Sequence, residues 1–408
     1  MGLFDLFAIV ILLSAIFCYV NFRFMKWPQT IGVMALSLAL SLVIVLSGNT
    51  FPYLQTLGTR ISTIDFNTLL MKVMLGFLLF AGGFHINAQD LKKHRLPILV
   101  LSTVATILST VIVGGLAWWV LQLFHEPIPF LYCLLFGALI SPTDPIAVLG
   151  ILKQANVSHD LEIKVAGESL FNDGVAVVLF ITLSGIVAGG TESFSVSHTL
   201  LLFLREAGGG IVYGLLLGRA GFWALKSIDN YNIEVQITLA LVMAGYYFAD
   251  LIHVSGPLAM VVAGIATGNK GKELAMSDVT RDYLSKFWEL IDEILNAVLF
   301  LLVGLEILVV KVHSGTVYMG LVMIVVVLFA RFVSVSLPVM VLRRFISLEK
   351  NVVTILTWGG LRGGISIALA LSLPPSGWRD KFVALTYIIV VFSVLVQGLT
   401  IKRLAKGG

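Results

Sequence analysis

Long apolar segments separated by short polar loops run through the whole chain. A membrane-spanning helix needs about 20 consecutive apolar residues, and this criterion predicts thirteen spans. The pattern predicts an all-α polytopic membrane protein in which residues 1–408 form one membrane domain. The spans lie near residues 4–22, 29–47, 67–84, 96–123, 130–152, 162–188, 200–225, 234–251, 255–268, 287–310, 316–342, 351–373 and 382–402.

Two of these spans are interrupted near their middle. In the fifth span, Pro142 and Pro145 each remove a backbone donor. Thr143 and Asp144 stand between the two prolines. In the twelfth span, paired glycines flank Arg362 in the sequence WGGLRGG. Broken helices at membrane depth are tolerated where they line a cavity, so both breaks are expected to line one.

The order of the spans predicts an internal repeat. If the seventh span is a linker (200–226), the chain divides into two sets of six spans, residues 1–190 and 233–404. The interrupted spans are then the fifth of each set. This arrangement is typical of secondary transporters with inverted repeats, whose sites lie at the midplane between discontinuous helices. The repeat is inferred from hydropathy and helix breaks, because the two sets share no convincing residue identity.

The composition supports a membrane protein and excludes an ordinary soluble domain. Of the 408 residues, 58% are hydrophobic and 12% are charged, about half the charged share of soluble domains. The net charge of +4 follows membrane topology, so no nucleic-acid partner is expected. Cys18 and Cys133 stand far apart in apolar stretches and the seven histidines form no HxxxH pair. No disulfide, transition-metal site or cofactor is therefore expected.

Lysine and arginine residues in the loops predict the orientation, because cytoplasmic loops carry an excess of both. The N-terminus is predicted outside and the C-terminus in the cytoplasm, with the protein in the plasma or inner membrane. The lysines and arginines on the predicted cytoplasmic side are Arg23, Lys26, Lys92, Lys93, Arg95, Lys153, Lys164, Arg219, Lys226, Lys270, Lys272, Arg281, Lys286, Arg343, Arg344, Lys350, Lys402, Arg403 and Lys406. Those in the opposite loops are Arg60, Lys311, Arg379 and Lys381.

The sixth span carries polar residues in the middle of an apolar run, VAGESLFNDGVAVVLFITL. Asn172 and Asp173 are adjacent, and Glu168 precedes them by one helical turn. On a helix, Glu168 and Asn172 share one face, and Ser169 and Asp173 share another. An ionisable residue inside a membrane is costly and marks a functional site by default. The alternative is a buried hydrogen-bond network that joins two helices.

These groups supply hard oxygen ligands. Asp173 offers a carboxylate and Ser169 a hydroxyl, while the unwound backbone at Thr143 and Asp144 offers carbonyl groups if the fifth span packs alongside. Such ligands suit a small hard cation. Removal from water favours the neutral form of a carboxyl group, so Asp173 can hold a proton or a cation in turn. Mutually exclusive occupancy of one carboxylate is sufficient for the exchange of one ion for the other.

Two arginines lie inside predicted spans, Arg331 in the eleventh and Arg362 at the break of the twelfth. A buried guanidinium needs a carboxylate or carbonyl partners, and the candidate carboxylates are Glu168 and Asp144. We expect Glu168 to pair with Arg331 and to stay ionised, which leaves Asp173 to titrate. Arg362 would then compensate the half-helix ends. Pairing of Glu168 with Arg362 is the alternative.

Three further acids, Glu289, Asp292 and Glu293, stand where the tenth span is predicted to begin. Acids in the first turn of a helix complement the helix dipole, which is the interpretation we favour. The alternative is that they attract cations into a funnel. Asp144 has two comparable interpretations, as a direct ligand or as a charge that neutralises helix ends or lines that funnel.

The segments GESLFNDG, SPTDP and GGLRG, in the sixth, fifth and twelfth spans, together resemble the NhaP-type sodium/proton antiporters of the monovalent cation:proton antiporter-1 family. The resemblance covers essentially the whole chain in span number, motif order and spacing. It implies thirteen helices with two inverted six-helix repeats, a crossing of the interrupted fifth and twelfth helices, and a homodimer. It also implies electroneutral exchange of one Na⁺ or Li⁺ for one H⁺ by alternating access, and no enzymatic activity.

The resemblance also implies roles for single residues. It places the cation-binding and proton-binding carboxylate at Asp173, with Asn172, Ser169 and the Thr143 carbonyl as contributors to a Na⁺ site. It places a structural ion pair at Glu168 and Arg331. Asp144 stays a further candidate for ion binding, and Arg362 stays the charge at the helix crossing.

Three alternatives remain open at this stage. A K⁺/H⁺ antiporter of the same fold would use the same groups. A cation channel would line a pore with rings of carbonyls or repeated charges, whereas the polar groups here converge on one spot. An intramembrane aspartyl protease would also need two buried acids, but Leu170 and Asn172 occupy the glycine positions of its GxGD signature before Asp173.

Overall fold

A computed structural model describes residues 3–47, 68–154, 157–189, 196–271, 276–310, 314–346, 348–349 and 351–406. The predicted loop residues Arg60, Lys272, Lys311 and Lys350 lie outside the described residues. The helices are α1 Leu3–Val20, α2 Gln29–Ser47, α3 Leu75–His85, α4 Ala88–Lys93, α5 Arg95–Leu123, α6 Phe130–Ile140, α7 Ile146–Gln154, α8 His159–Gly189, α9 Val196–Lys226, α10 Tyr231–Leu251, α11 Gly256–Ala266, α12 Asp278–Leu305, α13 Ser314–Leu342, α14 Val352–Trp358, α15 Gly364–Leu371, α16 Arg379–Phe392 and α17 Gly398–Lys406. Short π-helical turns adjoin these helices at Asn21–Met25, Leu69–Met74, Thr267–Gly271 and Ser393–Gln397.

Every predicted span coincides with a helical segment of the described chain. Seven helices in that part of the chain are long and apolar enough to cross a membrane, judged by length and composition, with mean hydropathy from 1.6 to 2.4. Shorter apolar helices supply further spans, among them Leu69–His85, Phe130–Ile140 and Gly256–Asn269. The prediction of an all-α polytopic fold is therefore confirmed.

The start of the tenth span differs from its prediction. The helix α12 begins at Asp278, where the hydroxyl of Ser277 caps its first turn. Glu289, Asp292 and Glu293 therefore lie about three turns inside the helix. The prediction that they complement the dipole of its first turn is wrong. The hydropathy pattern missed the true start because the first turns of α12 are rich in charged residues.

The fifth and twelfth spans are broken, as predicted. The fifth is unwound at residues 141–145 between α6 and α7, and the twelfth at residues 359–363 between α14 and α15. The two unwound segments touch, because the amide of Asp144 donates a hydrogen bond to the carbonyl oxygen of Leu361 at 2.7 Å. The crossing that the family resemblance implies is therefore present.

Buried apolar side chains form three clusters that divide the spans. One cluster is built by the fourth to sixth and the eleventh to thirteenth spans, and another by the third and the sixth to tenth spans. A third cluster contains residues of the first and second spans and connects them to both groups of helices. The helices α1 and α9 lie at the outside, since only 17% and 11% of their apolar windows are buried. Such exposed apolar faces suit lipid or another protein surface.

Glycines allow α3 and α11 to pack with their backbones in contact. A methyl group at Gly264 would collide with the carbonyl oxygen of Phe80, and one at Gly83 would lie 2.5 Å from that of Val261. Small residues at a helix crossing permit this close approach inside membranes. The spacing of α3 and α11 therefore depends on glycine at both positions.

We expect Gly264→Ala to lower the thermal stability of the protein. The added methyl group forces two backbones apart, and overpacking of this kind costs roughly 1–3 kcal/mol. Gly115→Ala in α5 is the matched control, because a methyl group there would have no atom of another segment within 4 Å. Thermal unfolding of both purified variants in detergent measures the difference. Equal midpoints would contradict the proposed role of Gly264.

Candidate functional site

Asn172 fastens the break of the fifth span to α8. The fully buried side chain donates from Nδ2 to Thr143 Oγ1 at 2.7 Å and to Glu168 Oε1 at 2.9 Å. Its Oδ1 accepts a hydrogen bond from the Thr143 amide at 3.3 Å. This amide is one of the backbone donors that the break removes from the helical ladder, and a buried donor needs a partner. Asn172 supplies it.

Two hydroxyl groups continue this network. Ser169 Oγ lies 3.1 Å from Thr143 Oγ1 and donates to Glu168 Oε2 at 3.4 Å. Thr143 thus contributes its hydroxyl and its amide to the contact with α8. A role for its carbonyl oxygen in ion binding stays a prediction.

Glu168 and Arg331 lie in direct contact across α8 and α13. The guanidinium donates to both carboxylate oxygens, with Nη1 to Oε1 at 3.0 Å and Nη2 to Oε2 at 3.1 Å, and both side chains are 2% exposed. Arg331 Nε also donates to the carbonyl oxygen of Leu356 at 3.2 Å. Of the two arginines considered from the sequence, Arg331 is the one that meets Glu168. The paired geometry satisfies the buried charge on each side.

Arg362 meets backbone oxygens at the crossing. Its Nη1 donates to the carbonyl oxygens of Ser141 at 2.5 Å and Pro142 at 3.0 Å, and its amide donates to Ser393 Oγ at 2.9 Å. The last carbonyls of a helix lack partners within it and carry partial negative charge. The guanidinium therefore complements the end of α6 in the position predicted for the helix-crossing charge.

Asp173 lies apart from this network and faces a cavity of about 770 Å³. The residue is 6% exposed, and its Oδ1 has no hydrogen-bond partner within the described residues. Asp144, which interacts electrostatically with Asp173, lines the same cavity. His85, Asp90 and His159 also line it, at the loop ends that the sequence predicts to be cytoplasmic.

The cavity is also lined by residues that were interpreted differently from the sequence or were missed. Glu289, Asp292 and Glu293 line the cavity, in agreement with the funnel interpretation that the sequence analysis did not favour. Asn296 and Ser366 also line it and were missed. The only sequence signal for either was a single neutral polar residue within an apolar run.

The donor set suits a hard cation or a proton. Among the residues that the structure describes, no group of three or more His, Cys, Asp or Glu side chains is placed to hold a metal ion. The adjoining network supplies hydroxyl and amide oxygen atoms, which bind hard cations, and Asp144 and Glu168 interact electrostatically with Asp173. A carboxylate in such a setting can hold one ion and release it.

Two crossing, discontinuous helices with an intramembrane carboxylate define the class of secondary transporters. A model of the transmembrane sodium/hydrogen exchanger family matches residues 10–407. The chain belongs to this family of sodium/hydrogen exchangers. The family resemblance of its three motifs is therefore confirmed.

Individual relatives agree with this assignment. The chain is 48% identical to the Na⁺/H⁺ antiporter NhaP of Pseudomonas aeruginosa, over 98% of this chain and 96% of that protein. It is 34% identical to the Na⁺/H⁺ antiporter NhaH of Halobacillus dabanensis, over 99% and 98%. Its structure is similar to that of the sodium proton antiporter MjNhaP1 from Methanocaldococcus jannaschii, with a TM-score of 0.77, 20% identity, and coverage of 98% and 96%. This last likeness shows the fold alone.

The contact between Glu168 and Arg331 predicts a non-additive effect on stability. Glu168→Leu or Arg331→Leu alone leaves an uncompensated buried charge and should cost about 3–5 kcal/mol. The double replacement removes both charges and should cost less than the sum of the single losses. Thermal unfolding of the three purified variants tests this expectation. Additive losses would show that the two side chains are not energetic partners.

Proposed function

We propose that this protein exchanges one Na⁺ or Li⁺ for one H⁺ across the cell membrane, and that Asp173 carries the two ions in turn. The observation that carries the proposal is the state of Asp173: a buried carboxylate on the wall of a cavity, with one oxygen free of partners among the described residues. An ionised carboxylate in that place needs a cation, and without one it needs a proton.

The neighbouring charges support a single carrier. Glu168 is held by Arg331 on both oxygens, so its charge stays fixed while Asp173 changes partner. Arg362 donates to two backbone carbonyl groups at the end of α6. One carrier carboxylate exchanges one proton for one monovalent cation, and no net charge then crosses the membrane. Ser169 and the Thr143 carbonyl complete the proposed cation site, with Asn172 positioning the break beside it.

The shape of the cavity supports alternating access. The cavity is lined by Asp90 and by the exposed His159, which the predicted orientation places in the cytoplasm, so we assign the structure to a state open to the cell interior. On the opposite side, the rings of Phe136 and Phe382 stack with centroids 5.2 Å apart inside a buried apolar cluster. Release to the outside requires this cluster to open while the cytoplasmic side closes.

The proposed architecture is an internal repeat. Residues 1–190 and 233–404 form two inverted repeats joined by a linker at 200–226. Support comes from the buried clusters, because the last three spans of each proposed repeat share one cluster. The N-terminus then lies outside and the C-terminus in the cytoplasm. The exposed apolar face of α9 suits a homodimer as well as lipid.

The first functional test removes the carrier. Asp173→Asn should abolish Na⁺-dependent proton release, because an amide holds neither ion as a carboxylate does. Asp160→Asn is the control on the same helix, since Asp160 is exposed and pairs with Lys93 at 3.0 Å. Proteoliposomes with an internal pH dye, given Na⁺, Li⁺ or K⁺ in turn, measure the rates and the ion preference. Normal exchange by folded Asp173→Asn would refute the assignment, and a preference for K⁺ would select the alternative antiporter.

The second functional test concerns pH and charge together. At low pH protons compete with the cation and raise the apparent KM for Na⁺, whereas at high pH the site lacks a proton to return. We therefore expect a bell-shaped rate profile. Membrane potential should leave the equilibrium distribution of Na⁺ unchanged. A Na⁺ gradient that shifts under a potassium-valinomycin clamp would instead require a second proton carrier, and Asp144 would be the first candidate.

A further inference from the structure

The cavity that Asp173 lines also contains buried oxygen groups that the proposed mechanism does not use. Asn296 of α12 is 2% exposed and Ser366 of α15 is 1% exposed. Both residues line the cavity, as does Asp292. Asn296 Oδ1 and Ser366 Oγ have no hydrogen-bond partner in the described part of the chain. Most buried polar groups in proteins have such partners, so unpaired ones call for an explanation.

The orientation of the Asn296 amide is determined by its neighbours. Its Nδ2 donates to the carbonyl oxygen of Asp292 at 2.8 Å and to Asp292 Oδ1 at 3.1 Å. Both neighbours are acceptors, so the amide group must present its NH₂ to them. The amide oxygen is therefore the atom of this group that is left unpaired. A cation is one ligand that such an oxygen can bind beside a carboxylate.

Ser366 lacks the partner that a helical serine usually has. Inside a helix a serine hydroxyl commonly donates to the carbonyl four residues earlier, as Ser372 does to Ala368 at 2.8 Å. For Ser366 that residue is Arg362, which belongs to the unwound break. The hydroxyl makes no such bond within the described residues. The break thus leaves an oxygen at the cavity with both lone pairs available.

Helix packing brings these groups to one wall. Asp292, Asn296 and Leu299 share one face of α12 at intervals of four and three residues. Leu299 packs directly against Gly364 at the start of α15, two residues before Ser366. Asp144 lies beside the break at Gly363, because a methyl group there would come within 2.5 Å of its carboxylate, and it interacts electrostatically with both Asp173 and Asp292.

We propose that Asp292, Asn296 and Ser366 form a second binding station for a monovalent cation, across the cavity from Asp173. The station provides a carboxylate, an amide oxygen and a hydroxyl, and it holds the cation before transfer to Asp173. The inference rests on the proposed function, since it assigns these residues to the path of the same ion. It adds a site with its own ligands, and binding there does not require Asp173.

The kinetic test uses the variants Asn296→Leu and Ser366→Ala, alone and combined. Each removes the unpaired oxygen, and Asn296→Leu keeps the branched shape of the side chain while also removing the Nδ2 donor to Asp292. The pair should raise the apparent KM for Na⁺ about five- to thirtyfold. The maximal rate should stay within about twofold of the unmodified protein, because Asp173 is intact. Ser372→Ala is the control, because it removes a hydroxyl that is already satisfied within its own helix.

The KM for Na⁺ measured separately on each face of the membrane distinguishes ion binding from a merely structural role. The increase in KM should appear with Na⁺ on the face where the cavity opens, measured in everted vesicles, and not in right-side-out vesicles. An unchanged KM in the double variant, an increase on both faces, or a loss of maximal rate alone would overturn the proposal. If the double variant is unstable, Ser366→Ala alone is measured against the same criteria.

A binding measurement separates this proposal from the carrier assignment. Purified Asp173→Asn should still broaden the sodium NMR signal, and the effect should disappear when Asn296→Leu and Ser366→Ala are added. Persistence of the signal in the triple variant, or its absence in Asp173→Asn, would overturn the second station. Normal exchange by Asp173→Asn would instead refute Asp173 as the carrier. The NMR measurement would still test the second station in that case.

Discussion

The structure depends on one constraint: inside a bilayer, the backbone groups released by a broken helix need partners from the protein itself. The fifth span is unwound at residues 141–145, and its free groups are met from three directions. Asn172 binds the Thr143 amide, Arg362 binds two carbonyl oxygens at the end of α6, and the other broken span supplies a backbone acceptor for Asp144. The residues that make the break tolerable are also those that position the groups around Asp173.

The charged side chains of the site differ in how completely they are paired. This difference supports the proposal that Asp173 is the carrier. Glu168 and Arg331 satisfy each other with two hydrogen bonds, so each of these buried side chains has its partner. Arg362 is balanced by helix-end carbonyls and not by a carboxylate. Asp173 is left on the cavity wall without a comparable fixed partner among the described residues. On the proposed mechanism a mobile ion completes the environment of Asp173, and the departure of that ion requires a proton in its place.

Much of this could be predicted from the sequence, because the membrane makes some signals unusually strong. Apolar run length gave the spans, and paired prolines and glycines gave both helix breaks. A carboxylate in an apolar run pointed to Asp173. The start of α12 was missed because its first turns are charged and lie outside the apolar window. Asn296 and Ser366 were missed for a different reason: most single hydroxyls or amides in such runs bond to their own helix, as Thr182 does, and only packing shows which ones cannot.

The backbone hydrogen bond between Asp144 and Leu361 limits how the protein can move. It joins two half-helices that belong to different halves of the sequence, and separating them would break a hydrogen bond between backbone groups that lie in unwound segments. The bond therefore favours movement of the two breaks as one unit, together with the proposed ion site. We then expect the flexible joints of a transport cycle elsewhere, at the ends of spans or in their connections.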